Sequence, residues 1–281
     1  GFENIAVLLT CYDRRDTTIK CLESLFSAKL PPNSNLEVFL VDDASPDGTS
    51  RSVEDRFPRV NIIFGDGDLF WNKGMNLAWR KASEKQTFDF YLWLNDDVIL
   101  LKDSLNILIN NYIQLAAKDS IIAGACSSAA GDITYSGYRS LIKKKIIEPN
   151  GSLQSCDYFN GNVVLIPQSV FKKIGFLDSR FHHGQGDFDY GLRAKQKNIN
   201  SYVSSEFVGL CERHSELPVW CNPKYSLPKR WKNFNSPLGG RPKSTFIFQK
   251  KYIGFSTALF HFFTIHLRLL LPQLWQIKKR I

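Results

Sequence analysis

Phe88-Asp89-Phe90-Tyr91-Leu92-Trp93-Leu94-Asn95-Asp96-Asp97 is the stretch on which the fold turns. Residues 88–94 make a short, mostly apolar run rich in aromatic side chains, the pattern of a buried strand. Two carboxylates emerge together at its end. Adjacent carboxylates repel each other unless they are solvated or hold a cation. An oxygen-rich pair of this kind suits Mg²⁺ or Mn²⁺, above all where a diphosphate supplies further ligands. The alternative is a solvated cap ahead of the helix that begins near Leu105.

Outward from this strand, strand-like and helix-like segments alternate. Residues 5–9, 36–41 and 60–64 read as strands. A helical pattern runs through Thr18, Cys21, Leu22, Leu25 and Phe26, and further helices are expected over 50–57, 71–85 and 105–117, before a strand at 121–126. Such alternation predicts a mostly parallel sheet with right-handed crossovers and helices on both faces, a Rossmann-like α/β half. Ligands bind such sheets at the carboxyl ends of strands. Asp42-Asp43 and Asp96-Asp97 both follow strands. Beyond, residues 131–149 read as a loop or hairpin, 158–167 as a strand, 168–174 as a short helix, 188–197 as a helix and 201–203 as a short strand.

Asp42 and Asp43 could accept hydrogen bonds from a base or from ribose hydroxyls; an Asx-turn closing the strand is the competing reading. Asp187 and Asp189 open a helical stretch, where the helix dipole by itself favours acids. Arg193 lies four residues beyond Asp189, the spacing for an ion pair on a helix. Among Cys211, His214 and Cys221 the spacing fits no common zinc motif, so separate structural thiols are expected.

Together these segments resemble the catalytic domain of family 2 glycosyltransferases. Leu9-Thr10-Cys11-Tyr12-Asp13-Arg14 looks like the family's first-strand signature and Val41-Asp42-Asp43-Ala44-Ser45 like its second. Leu94-Asn95-Asp96-Asp97 looks like its Asp-x-Asp metal motif, with Asn95 at the first position. Gly67-Asp68-Leu69-Phe70-Trp71-Asn72-Lys73-Gly74-Met75-Asn76 is similar to the segment lining the nucleotide-sugar pocket. Gly186-Asp187-Phe188-Asp189-Tyr190-Gly191-Leu192-Arg193 is similar to its acidic segment before Leu-Arg. The resemblance spans about Asn4 to Ser215 and implies the GT-A fold and inverting, metal-dependent hexosyl transfer. It implies Asp187 as general base and Asp97, His214 and Asn95 as candidate metal ligands for Mn²⁺ or Mg²⁺. Thr10, Tyr12, Arg14, Asp42, Asp43, Asp68, Trp71, Gly74, Asn76 and Asp96 would face a UDP- or dTDP-sugar donor. Trp71, His182, His183 and Asp189 would face the acceptor, a glycan or lipid-linked glycan. The setting it implies is bacterial capsule or O-antigen assembly, with galactosyl, galactofuranosyl or rhamnosyl transfer.

The 281 residues, 43% hydrophobic and 22% charged, afford a sizeable core and exclude a disordered chain. Of the 36 Lys and Arg, 12 lie from Leu217 onward, where no Asp or Glu occurs; the other 216 residues carry 24 basic and 27 acidic side chains, a net of −3. Two parts are therefore expected: a GT-A catalytic domain at 1–216 and a basic, aromatic-rich, amphipathic helical extension at 217–281. Because that extension is also rich in Phe and Leu, a membrane surface fits it better than nucleic acid. His261, His266 and Arg268 interrupt its apolar run, which predicts helices lying on an anionic bilayer with Lys250, Lys251, Lys278, Lys279 and Arg280 at the head groups. A helical cover on the core or a homo-oligomer interface is the alternative. No apolar leader is read at the start and no C-x-x-C pair occurs, so the expected location is cytoplasmic, peripheral at the inner membrane face.

Two other classes compete. A catalytically inactive nucleotide-sugar-binding module of the same fold is favoured by Asn95 and disfavoured by Asp97 and Asp187. A nucleotidyltransferase would carry a glycine-rich phosphate loop after the first strand, and residues 10–15 contain no glycine. G-x-G-x-x-G, P-loop and G-x-S-x-G motifs are all missing.

Overall fold

A computed structural model describes residues 3–213 and 216–274. The chain divides into two compact units, Gly1–Ser179 with Gly186–Arg213, and Arg180–Gln185 with His214–Ile281. The boundary expected at 216/217 thus falls at 213/214, and the short segment Arg180–Gln185 groups with the second unit.

In the first unit, β1 (Glu3–Cys11), β2 (Ser34–Asp42), β3 (Asn61–Phe64) and β4 (Phe90–Leu94) pair in parallel. Their connections are α1 (Arg15–Ser27), α2 (Thr49–Arg56) and α3 (Phe70–Lys85). After β4 come β5 (Ile99–Leu100), α4 (Ser104–Ile113) and β6 (Ser120–Ser127). The region read as a loop or hairpin holds β7 (Ile133–Tyr135), β8 (Gly137–Arg139) and β9 (Lys145–Ile146), followed by β10 (Gln154–Cys156). The single strand expected over 158–167 is two, β11 (Tyr158–Phe159) and β12 (Val163–Pro167), broken at Asn160-Gly161-Asn162. Then follow α5 (Gln168–Ile174), α6 (Gly186–Gln196) and β13 (Asn200–Leu210).

The large sheet runs β10-β13-β6-β12-β4-β1-β2-β3, and β11-β8-β9 form a small second sheet. β12 is antiparallel to both β4 and β6, so the parallel reading holds for the β3-β2-β1-β4 half and for the β6–β13 pair. β13 is much longer than the short strand expected at 201–203. Ser204-Ser205-Glu206 interrupts its apolar pattern, and the register slips there because the strand bulges.

The pleat explains why the apolar runs are continuous. Ile5, Val7 and Leu9 face one core with Leu22 and Leu25 of α1 and Leu105 and Leu108 of α4. Ala6 and Leu8 face the other core, with Met75 and Trp79 of α3 and Tyr190 of α6. A strand covered on both faces has no solvent side to carry polar residues. Polar chemistry is left to the strand ends.

The second unit contains a 3-10 turn at Val219–Cys221, α7 (Leu227–Phe234), α8 (Pro242–Tyr252) and α9 (Phe255–Leu270). Its small core gathers Trp220, Cys221, Phe234 and Leu269, with Ile265 against them. Among the described residues no helix is long and apolar enough to cross a membrane. His214, Lys278, Lys279 and Arg280 lie outside the described residues. All six cysteines are free and buried.

Candidate active site

Asn95-Asp96-Asp97 leaves the sheet at the carboxyl end of β4, beside the carboxyl end of β1. Arg14, which caps α1 just after β1, reaches both acids: Nη1 lies 3.1 Å from Asp96 Oδ1 and Nη2 lies 3.0 Å from Asp97 Oδ2. Asp96 is buried and also accepts from Thr18 Oγ1 at 3.4 Å. The Asp97 side chain keeps 26% exposure, so solvent reaches it. Cys211 Sγ, whose pKa burial pushes far up so that the thiol stays protonated, lies 3.6 Å from Asp97 Oδ1.

Burial pushes Asp96 up to about 7, outweighing the attraction of Arg14, and the neighbouring Asp97 charge adds to the rise. The unfolded chain releases this proton near pH 3.8, whereas the native chain holds it to about 7. Between these values the native state binds more protons, so the contribution of Asp96 to stability falls as pH rises from about 4 to about 7 and is level above. The expected result is that Tm of the metal-free protein, relative to Asp96→Asn, drops across that window. Calorimetric scans of both proteins from acid to pH 8 check it; a constant difference refutes it.

The other half of the site is built through Trp71. Its Nε1 donates to Asn95 Oδ1 at 2.7 Å, and its ring packs edge-on against Trp93 of β4. Asn95 N–H donates to the carbonyl of Asn162 at 2.9 Å, tying β4 to the break before β12. Within that break, Gly161 N–H donates to Asp187 Oδ2 at 2.8 Å. A Cβ on Gly161 would stand 2.6 Å from Trp71 Cζ2 and 3.1 Å from the Asp187 Cβ, so only glycine lets the three meet. Asp187 sits in the first turn of α6 and its Oδ1 also accepts from the N–H of Phe188. Two backbone N–H groups and the first turn of α6 thus hold its carboxylate in place.

Several expected site residues also hydrogen-bond to the scaffold. Asp42 accepts from Ser45 N–H, Ser50 N–H and the Ser50 hydroxyl, the Asx-type turn that competed with base or ribose binding. Asp43 is likewise buried and accepts from the N–H groups of Gly67, Leu69 and Phe70. It thereby shapes the turn into α3, in which Gly67 and Phe70 both have positive φ. Gly74 is a packing position: a Cβ there would stand 2.3 Å from Thr10 Oγ1, so glycine lets α3 lie close on β1. Asn76, buried, closes both amide groups on the backbone of Leu177, and Asn72 donates to the carbonyl of Asp178. Asp189, expected near the acceptor, is fully buried and pairs with Arg193 at 2.8 Å, while Arg193 also reaches the carbonyls of Ile174 and Phe176. Asn95 turns its side-chain oxygen to Trp71, which opposes its expected place as a metal ligand. Tyr12 and Asp68 are exposed. His182 and His183 belong to the Arg180–Gln185 segment of the second unit.

Thr18 and Gly161 are not singled out by the sequence, Cys211 is read there only as a structural thiol, and Asn72 only as part of the pocket-lining segment. Nothing local marks Thr18, whereas Gly161 carries a signal, a glycine inside an expected strand.

Asp96 and Asp97 offer oxygen donors of the class that hard divalent cations take, and both are paired with the Arg14 guanidinium. Among the described residues no group of three His, Cys, Asp or Glu is arranged to hold a metal ion. A single well-placed carboxylate completed by donor phosphates and water is the usual Mg²⁺ arrangement.

The profile of the family described as "Glycosyl transferase family 2" matches residues 6–175, more than half of the chain. The chain belongs to glycosyl transferase family 2. Among curated relatives, it is 24% identical over 182 residues to a poly-beta-1,6-N-acetyl-D-glucosamine synthase of Staphylococcus epidermidis, covering 63% of this chain and 42% of that protein. The family 2 chain thus spans less than half the length of that relative. Among solved structures it resembles S. aureus TarS residues 1–349 in complex with UDP, at 15% identity and a TM-score of 0.53, over 74% of this chain and 60% of that one. It also resembles a mannosyltransferase from Pyrobaculum calidifontis in complex with GDP-Man and Mn²⁺, at 16% identity and a TM-score of 0.50, over 73% and 56%. These likenesses establish the GT-A fold for the family 2 chain.

Proposed function

We propose that this family 2 glycosyltransferase moves a hexosyl group from a UDP- or dTDP-sugar to a hydroxyl of a growing, lipid-linked surface glycan at the cytoplasmic face of a bacterial membrane, with inversion at the anomeric carbon. Galactosyl, galactofuranosyl and rhamnosyl donors all suit the reading, as do capsule and O-antigen acceptors. One observation carries it: Asp187, Gly161, Trp71 and Asn95 form one run of contacts that ends at Asp96, Asp97 and Arg14. An open carboxylate for a cation and a backbone-held carboxylate for a proton thus lie on one run of contacts at the strand ends. The UDP and Mn²⁺ held by two proteins of the same fold support the donor and metal classes.

Asp97 would hold Mn²⁺ or Mg²⁺, which when bound supplies Lewis-acid neutralisation of the departing diphosphate. Arg14 offers a second positive charge to the same phosphates. Trp71, fixed at its N–H by Asn95, presents a flat wall beside Asp187, as an aromatic platform for a sugar face. Asp187 Oδ accepts the proton of the acceptor hydroxyl as that oxygen attacks the anomeric carbon.

Calorimetric titration with UDP-, dTDP- and GDP-sugars, with Mn²⁺ or with EDTA, tests the donor site. The expected result is binding of one nucleotide class that EDTA abolishes. Silence from every nucleotide under both conditions would sink the transferase reading and leave a fold that has lost its chemistry.

A further inference from the structure

A surface helix of a folded domain turns its apolar side inward and its polar side to water. α9 breaks this rule. Its buried side, Ala258 and Leu269 with Ile265, is apolar, but so is its exposed side. The exposed residues of α9 are Phe255, Ser256, Leu259, Phe260, Phe263, Leu267 and Leu270. Placed at about 100° per residue, they occupy one arc of about 140°. Phe260 and Phe263 each keep 64% exposure. A contiguous apolar stripe of this kind marks an interaction surface.

The charge around the stripe identifies what covers it. No acidic residue occurs from Leu217 to the end of the sequence. Lys250 of α8 lies over the ring of Phe255, the first residue of the stripe, at 5.9 Å. Lys250 also lines a pocket of about 380 Å³ with Arg180, Lys251, Phe246 and Ile247. Three cations and two apolar walls thus stand at the head of an apolar helix face, matching a lipid phosphate followed by its chains. A second copy of this chain would bring the same positive charge against it. With 16 residues α9 is about 24 Å long, short of the roughly 30 Å hydrocarbon core, so it suits lying in the interface and does not suit spanning it.

We propose that α9 lies in the plane of an anionic bilayer, its Phe255–Leu270 stripe among the acyl chains, with Arg180, Lys250 and Lys251 on lipid phosphates. This deepens, and for its purpose rests on, the reading of the acceptor as lipid-linked; its test does not need the transfer reaction.

The full chain is cosedimented with vesicles of phosphatidylcholine, with or without phosphatidylglycerol. Wild type is expected to partition onto the anionic vesicles. Phe260→Ser with Phe263→Ser should lose that partition by about 10²-fold or more, since each removes a ring from hydrocarbon. Lys250→Gln with Lys251→Gln should lose about thirtyfold and flatten the salt dependence. These side chains are exposed, so unchanged melting of the variants confirms that the fold is retained. Wild type left in the supernatant with anionic vesicles overturns the proposal. A lipid-free dimer in sedimentation velocity that the Phe pair dissociates also overturns it, placing a second copy on the stripe. Transfer to a water-soluble acceptor is measured separately: its absence in wild type would sink the reaction, whereas its retention beside failed vesicle binding would sink only the membrane contact.

Discussion

Asp187→Asn is expected to leave metal-dependent donor binding in place and to lower transfer by about 10²–10⁴-fold, the usual contribution of a positioned base. Asparagine keeps the shape and one oxygen, so the Gly161 N–H retains a partner and the break before β12 keeps its path. It has no site for the acceptor proton at neutral pH. The fall should therefore appear in kcat, with the donor Kd unchanged. Single-turnover transfer beside donor titration separates the two. A variant with undiminished kcat would show that another group takes the proton.

Asp97→Ala should act one step earlier. Removing the open carboxylate takes away the side chain proposed to hold a divalent cation, and Arg14 is left with Asp96 alone. Donor affinity should become indifferent to Mn²⁺ and EDTA. Transfer should fall by about 10²–10³-fold, the equivalent of several kcal/mol of Lewis-acid stabilisation. Electron paramagnetic resonance of Mn²⁺ gives a readout independent of turnover: the bound signal should vanish in Asp97→Ala and persist in Asp187→Asn. Undiminished Mn²⁺ binding in Asp97→Ala would place the cation elsewhere. Together the two variants separate cation binding from proton transfer, and no defect of the shared scaffold gives both patterns.

The expected site residues that hydrogen-bond to the scaffold share one physical cause. Asp42, Asp43, Asn76 and Asp189 stand in the right segments, but each is buried, and a buried polar group must be satisfied inside the protein. Asp43 spends its oxygens on three backbone N–H groups of the turn before α3, and Asn76 spends its amide on Leu177. A sequence motif records that such a residue is needed near the site; it does not record whether the side chain faces the ligand or holds the loop that does. Asp97, with part of its surface open, and Asp187, on the first turn of α6, differ from these only in where the chain leaves them.

The sequence by itself determined the strands, because those covered on both faces must read as unbroken apolar runs, and the carboxylates at their ends, because polar groups have no other place on such strands. It determined the uncompensated positive charge after Leu217, which is a matter of counting. The tertiary structure alone decided that β12 enters antiparallel between β4 and β6, which carries Gly161 to Trp71 and Asp187. It alone decided that Arg14 bridges Asp96 and Asp97, and that the apolar stripe of α9 faces outward. Periodicity along a chain reports how much of each residue is covered. Which distant residue does the covering depends on strand order and on contacts across scores of residues, and no local pattern encodes that.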